Sequence, residues 1–276
     1  MKNIIIAGVT VLSIGLLLYG SYTVVDNLST NEEIIYREAV SVEDILNEEF
    51  NCNAVAPVVY KRLPSLRNLP VETRKEVFIR ALLPSILIAE KKIKKERERV
   101  LEILDKFKKE KIITKKDLSF LNMVLKKYKT TSTEELLARM NVNPPSVVLA
   151  QAAIESGWGT SRFFEEGNNV FGIWTFKGNG IQAASSEARL RKYDTLLEAV
   201  EDYLYNLNVG WAYKRYRITR MSTSNPILLI NYLDNYSILG KEYVRRLNKV
   251  IKTNNLERYD ACSLLDTNRK PYWNLN

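Results

Sequence analysis

The 276-residue sequence contains no histidine. That absence excludes a Ser-His-Asp triad, a Cys-His dyad and any histidine-ligated zinc centre. Hydrolytic chemistry in this chain must therefore rest on carboxylates, a lone nucleophile or a carboxylate-held metal. Cysteine is nearly absent as well, with only Cys52 and Cys262. Two thiols cannot build an all-thiolate tetrahedral metal site, and their spacing is not that of a redox CxxC pair. They either close one disulfide between the early chain and the C-terminal tail or stand as two separate thiols. No internal repeat is visible.

What is present begins with charge. The chain carries 41 Lys and Arg against 32 Asp and Glu, a net +9. A basic balance favours polyanionic partners without choosing among nucleic acid, anionic lipid and acidic wall polymer. The apolar fraction, 46%, suffices for a buried core. At the N-terminus Lys2 precedes an apolar run from Ile4 to Tyr19, uncharged residues continue through Val25, and Asp26, Glu32 and Glu33 follow. A run of about 20 residues can span a bilayer. One lysine before it and acids after it favour an N-inside orientation. No small-x-small cleavage site lies near Tyr22 and no lipobox cysteine follows, so an uncleaved anchor is favoured over a cleaved signal peptide. Either reading places the rest of the chain outside the cytoplasm.

Four regions follow from the pattern. Residues 1–25 are the signal anchor or signal peptide. Residues 26–70 read as a tether, with a short helical stretch over 42–50 and then Pro57, Pro64 and Pro70. Residues 71–134 read as a helical extension, in which Phe78, Ala81, Leu82 and Ile86 recur at helical spacing and Pro84 should bend or break the helix. Charges are dense over 90–116. They form either a solvated face laced with pairs such as Glu102–Lys106 or a basic ridge for lipid or acidic wall material. Phe107 is the one aromatic among them, which argues against single-stranded nucleic acid, and no nucleic-acid partner is expected. Residues 135–276 read as a compact helical domain. Pro144 and Pro145 start a helix that Gly157 should stop, Thr160 or Ser161 caps the next, and Thr195 with Glu198 forms a capping box. Pro226 starts another helix, and 240–252 supplies the last. The Gly-, Ser- and Ala-rich stretch over 174–192 suits a small β-lobe or hairpin.

Two segments carry chemistry. In AQAAIESGWGTS (150–161), Glu155 falls in the last turn of its helix. The negative helix end disfavours a carboxylate there, and Trp158 nearby would add desolvation. Both raise the carboxyl pKa, as the acid in glycosidic cleavage requires. On position alone, an exposed glutamate at a helix end is the commoner reading. In EGNNVFGIW (166–174), the paired Asn168 and Asn169 amides can brace a loop or bind sugar hydroxyl and acetamido groups. Phe171 and Trp174 can face a sugar ring or fill the core.

AQAAIESGWGTSRF followed by EGNNVFGIW resembles the signature of the glucosaminidase family of peptidoglycan hydrolases, which includes flagellar muramidases and autolysins. LRKYDTLLEAVEDYLYNLN (190–208) and NYSILGKEYVRRLNKVI (235–251) extend the likeness. RKEVFIRALLPSILIAEKKI (74–93) is similar to the helical preface of the Bax-type proteins of Gram-negative bacteria. The resemblance covers roughly residues 70–255. It implies a lysozyme-like α+β fold, predominantly helical, with a small β-lobe. It implies cleavage of β-1,4 glycosidic bonds in peptidoglycan strands, usually after N-acetylglucosamine, with no metal or cofactor called for.

The resemblance maps the general acid onto Glu155 and a functional tyrosine onto Tyr236, with Tyr243 behind it. Glu187 is the candidate second carboxylate. Asp194 reads as a helix-cap neighbour, and Glu165 and Glu166 fall on the outer face of a short helix. If Glu187 lies outside the cleft, the substrate's 2-acetamido group is the alternative nucleophile. Trp158, Asn169, Phe171, Trp174 and Tyr243 are the expected substrate-binding residues, in a groove between the helical core and the 174–192 lobe. The competing reading is a catalytically inactive wall-binding scaffold on the same fold.

Overall fold

The computed structural model describes residues 34–39, 41–175, 180–182 and 189–266. The N-terminal apolar run lies outside them. Among the described residues no helix is long and apolar enough to cross a membrane.

The first described segment is not a free tether. β1 (Ile35–Arg37) pairs in parallel with β2 (Val58–Tyr60), Ile35 opposite Val58, with α1 (Glu43–Leu46) between them. The apolar run around β2 accounts for this: Val58, Val59 and Tyr60 are buried in the main core.

α2 (Val71–Lys108) runs unbroken through Pro84, against the expected interruption. An interior proline costs about 3 kcal/mol. Phe78, Leu82, Leu83 and Ile86 are almost wholly buried on the flanking turns, and each contributes roughly 1.5–3 kcal/mol, so burial outweighs the lost hydrogen bond. α3 (Lys115–Lys127) starts with a reciprocal capping box between Thr114 and Asp117, and α4 (Thr133–Arg139) starts on the Ser132 hydroxyl. These helices pack a small separate core of Val100, Val124, Tyr128, Leu136 and Met140 against the far part of α2. The expected Glu102–Lys106 pair is replaced. Lys106 binds Asp117 at 2.9 Å while Glu102 binds Arg99 at 3.0 Å. The Asp117 side chain is buried, and a buried carboxylate attracts a cation more strongly than an exposed one does.

α5 (Pro145–Ser156) has proline at its first position and ends on Gly157 at φ +60°, as the sequence predicts. Ser161 caps α6 (Arg162–Gly167). β3 (Trp174–Thr175), β4 (Gly180–Gln182) and β5 (Arg189–Arg191) form a small antiparallel sheet in the order β3-β5-β4, which is the expected lobe. Thr195 caps α7 (Leu196–Val209), but the return bond of the box goes from the Asp194 N–H to Glu198. α8 (Lys214–Arg220), α9 (Pro226–Leu229) and α10 (Lys241–Thr253) complete the helices, α10 burying Tyr243, Leu247 and Ile251 on one face. The main core joins α2, α5, α7 and α10, with α5 packed against α2, α10 and the 3₁₀ turn Leu256–Ala261. A disulfide joins Cys52 to Cys262, and the chain beside it pairs with the C-terminal segment through Ser263 N–H to Cys52 O and Val55 N–H to Ser263 O.

A buried polar network ties α2 to α7 and α8. The Glu90 carboxylate accepts from Asn143 N–H at 2.9 Å, and Arg220 donates to the side-chain oxygens of Asn143 (2.6 Å) and Asn208 (2.8 Å). Burial pushes the Glu90 carboxyl up from 4.5 to about 8, against the opposing effects of the Asn143 N–H, Lys94 and Arg220. Its folded pKa lies above its unfolded one. The native state therefore binds the extra proton between the two values, and stability is lost as pH rises from about 4.5 through about 8. Glu90→Gln keeps the acceptor and removes the titration. Melting curves from pH 5 to 9 should fall less steeply for the variant than for the wild type, and parallel curves would remove Glu90 as the cause.

Candidate active site

The end of α5 is shaped by three consecutive left-handed residues, Gly157, Trp158 and Gly159, at φ +60°, +58° and +78°. Ser156 Oγ donates to Ala152 O at 2.6 Å and accepts from Gly159 N–H at 3.0 Å, which fixes the reversal. At Gly159 a Cβ would stand 2.9 Å from Leu66 Cδ1 and 3.0 Å from Phe78 Cδ2, so only glycine fits. Trp158 takes the left-handed region at a cost of about 1–2 kcal/mol. Its ring meets Phe78 edge-on at 5.7 Å, and Lys75 Nζ lies 5.8 Å from its centroid. Trp158 thus turns toward α2.

The reversal leaves Glu155 on the last turn of α5, half-buried. Burial raises its carboxyl pKa, and a hydrogen bond from Tyr243 partly opposes the rise. The expected direction is right. Its surroundings are tyrosines: Tyr203 of α7, Tyr213 of the 3₁₀ turn Trp211–Tyr213, Tyr236 of the turn Asp234–Tyr236 and Tyr243 of α10 all feel its charge. Gly172, at φ +66°, closes the site from the loop before β3, where a Cβ would lie 3.6 Å from Glu155 Oε2.

Tyr236 donates its hydroxyl proton to Phe171 O at 3.0 Å. Its ring stacks parallel to Tyr243 at 5.5 Å and meets Tyr213 and Tyr203 at 6.1 and 6.3 Å. Tyr243 is buried, and its oxygen accepts from Gln151 Nε2 at 3.0 Å. Phe171 is buried too, stacked on Tyr203 at 3.9 Å. Asn169 is 2% exposed. Its amide donates to Ile173 O and Arg191 O, each at 2.9 Å, and accepts from Ile173 N–H, so it braces the loop. Asn168 does likewise, donating to Lys61 O and Tyr193 O. Trp174 stands 49% exposed on the β-lobe.

The sequence-predicted residues thus divide. Glu155, Tyr236, Tyr243 and Phe171 converge. Trp158 faces α2, Asn169 is consumed by the loop, and Trp174 lies out on the lobe. Glu187 falls outside the described residues. Glu165 binds Ser65 and Arg67, and Glu166 binds Arg162, as outer-face residues do. Gln151, Tyr203 and Tyr213 went unread. One signal existed for Gln151, a polar side chain one turn before Glu155 in an otherwise apolar run, which must find buried partners. Among the described residues no group of three or more His, Cys, Asp or Glu could hold a metal ion.

Residues 130–256 match the family described as glucosaminidase, mannosyl-glycoprotein endo-β-N-acetylglucosaminidase. The Bax protein of Escherichia coli is 30% identical over 196 residues, 66% of this chain and 70% of that one. The exo-glucosaminidase LytG of Bacillus subtilis is 27% identical over 140 residues, 43% of this chain and 47% of that one. The catalytic domain of the autolysin Auto from Listeria monocytogenes aligns with 70% of this chain and 89% of its own at 21% identity and a TM-score of 0.39. The length and identity of the match to the Bax protein, together with the family match across the Glu155 motif, place this chain in the glucosaminidase family, as a glycoside hydrolase of predominantly helical α+β build.

Proposed function

We propose that this protein cleaves β-1,4 glycosidic bonds in peptidoglycan glycan as an N-acetylglucosaminidase, with Glu155 as general acid. One observation carries the reading. Glu155 is a half-buried carboxyl beside Tyr203, Tyr213, Tyr236 and Tyr243, and burial raises its pKa, so it keeps its proton to higher pH than an ordinary glutamate. That proton goes to the glycosidic oxygen as the bond to the anomeric carbon breaks. Positive charge then grows at the sugar ring. Tyr236 donates its hydroxyl hydrogen bond to Phe171 O, so its oxygen lone pairs remain to orient water or face that charge. Tyr236→Phe should lower turnover by about 10²-fold, less than removal of the acid. An unchanged rate would leave Tyr236 a packing residue.

The second carboxylate is read as Glu187, with the substrate's acetamido group as the alternative nucleophile. Residues 135–276 form the glucosaminidase domain in this reading, and 71–134 its helical extension. Wall glycan lies outside the cytoplasm, and the Cys52–Cys262 disulfide suits an oxidising compartment. The run over residues 4–25 is read as the anchor that holds the enzyme on the periplasmic side of the inner membrane. The test is mass spectrometry of fragments released from purified peptidoglycan by wild type and Glu155→Gln. Reducing N-acetylglucosamine ends made only by the wild type support the reading. Reducing N-acetylmuramic ends would make the enzyme a muramidase, and no fragments from either protein would make it a wall-binding scaffold.

A further inference from the structure

We propose that the outer end of the α2–α3 hairpin, residues 107–118, is a docking surface for an anionic phospholipid bilayer, on which lysines meet the headgroups while Phe107 and Ile112 enter the interface. The inference is independent of the reading of Glu155.

Charge is the first observation. Residues 91–129 hold 15 lysines and arginines against 6 acids, a net +9, which equals the net charge of the whole chain. The rest of the sequence is therefore balanced. Part of this charge is used inside the protein. Lys92 pairs with Glu201, Lys127 with Glu96, and both Lys106 and Arg99 with the buried Asp117. The surplus collects at the hairpin end. Lys108, Lys109, Lys111, Lys115 and Lys116 are all exposed there, beside one exposed acid, Glu110. Of these five lysines only Lys109 has an ion-pair partner among the described residues, Asp105 at 2.9 Å.

Exposed apolar side chains are the second observation. Ile112 is 88% exposed, Phe107 47% and Leu118 45%. One such residue on a surface needs no account, but three within a short stretch that also carries five lysines make an amphipathic tip. The tip is a built turn. Lys111 N–H donates to Lys106 O at 2.9 Å, and Asp117 Oδ2 accepts from the Thr114 N–H and hydroxyl and from Lys106. Behind it, α3 packs on α2 through Val124 and Val100.

Together the two observations choose the partner. A soluble polyanion, such as an acidic wall polymer, takes up lysines and leaves Ile112 and Phe107 in water. A neutral bilayer has no use for the lysines. An anionic bilayer answers both: its headgroups attract the ammonium groups, the lysine stems lie along the interface, and the apolar side chains leave water. The helix rises about 1.5 Å per residue, so Phe107 stands about 40 Å along α2 from Phe78, the residue that meets Trp158 in the Glu155 motif. A bilayer met by the tip alone leaves the Glu155 cleft open to glycan.

The test is the full chain with Ile112→Cys, labelled with the fluorophore NBD. Cys52 and Cys262 are paired, so the new thiol is the one that reacts. The labelled chain is incorporated into vesicles of phosphatidylcholine, alone or mixed with phosphatidylglycerol, each with spin-labelled lipid as quencher. Any hold by residues 4–25 is common to both lipids, so a difference on the vesicle-bound chain belongs to the tip. The label should brighten and be quenched in the anionic vesicles only, and salt should reverse both changes. Lys115→Gln/Lys116→Gln should lower the ratio of docked to free tip by about 25-fold, about 5-fold for each lysine. Its fragment release from purified peptidoglycan should stay at the wild-type rate, which shows that it folds. Phe107→Ser should weaken docking as well and leave its salt dependence in place. Equal quenching in both lipids, quenching in neither, or a lysine variant that docks as the wild type does would each overturn the proposal. A label that responds to soluble poly(glycerol phosphate) and to neither vesicle would overturn it in favour of wall polymer.

Discussion

Glu155→Gln should fold as the wild type does and lose about 10³–10⁴-fold in turnover. The amide has nearly the same shape and can still accept from Tyr243, so packing around α5 is preserved. What it cannot do is deliver a proton to a leaving oxygen. The stability comparison has a definite sign. Burial raises the folded pKa of Glu155, so the stability it contributes falls as pH rises through that pKa. The amide carries no such loss, and the variant should melt at or above the wild-type temperature on the alkaline side. A variant that melts lower and turns over slowly would point to a structural role. One that keeps full activity would place the acid elsewhere.

Cys52→Ser/Cys262→Ser should lower the unfolding free energy by about 3–5 kcal/mol. The disulfide spans 210 residues, and a cross-link over so long a loop removes much of the freedom of the unfolded chain. For a protein of this size that is a drop of roughly 10 °C in melting temperature. The same shift should appear in the wild type under reductant. Equal melting points would mean that the pairing between residues 52–55 and 263–265 already holds both segments.

Much of this architecture was legible because it is local. Pro145, Gly157, Ser161, Thr195 and Pro226 mark helix ends by their own backbone preferences, and each does so in the structure. Glu155 was legible for the same reason, since a helix stop two residues later fixes its place. Pro84 misled because its cost is local and the burial that outweighs it comes from other elements. Residues 55–60 fell within the segment read as a tether because Pro57, Pro64 and Pro70 interrupt it, yet an apolar strand needs only a neighbour. The site lies between these cases. Asn169 offered bracing and binding equally, and only the carbonyls of Ile173 and Arg191 decide. The hydrogen bonds of Gln151 with Tyr203 and Tyr243 join side chains from three helices that stand 52 and 92 residues apart in sequence. No spacing rule reaches that far.

The cross-link also changes what kind of object the polymer is. From residue 52 to residue 262 the backbone and the sulfur bridge form a closed loop, and both ends of the chain leave from the same point on it. A protease that cuts this loop once produces no separate pieces. The nicked molecule keeps its mass without reductant and splits only when reduced, so a single cleavage in a hostile exterior changes connectivity without releasing the Glu155 helix from its neighbours.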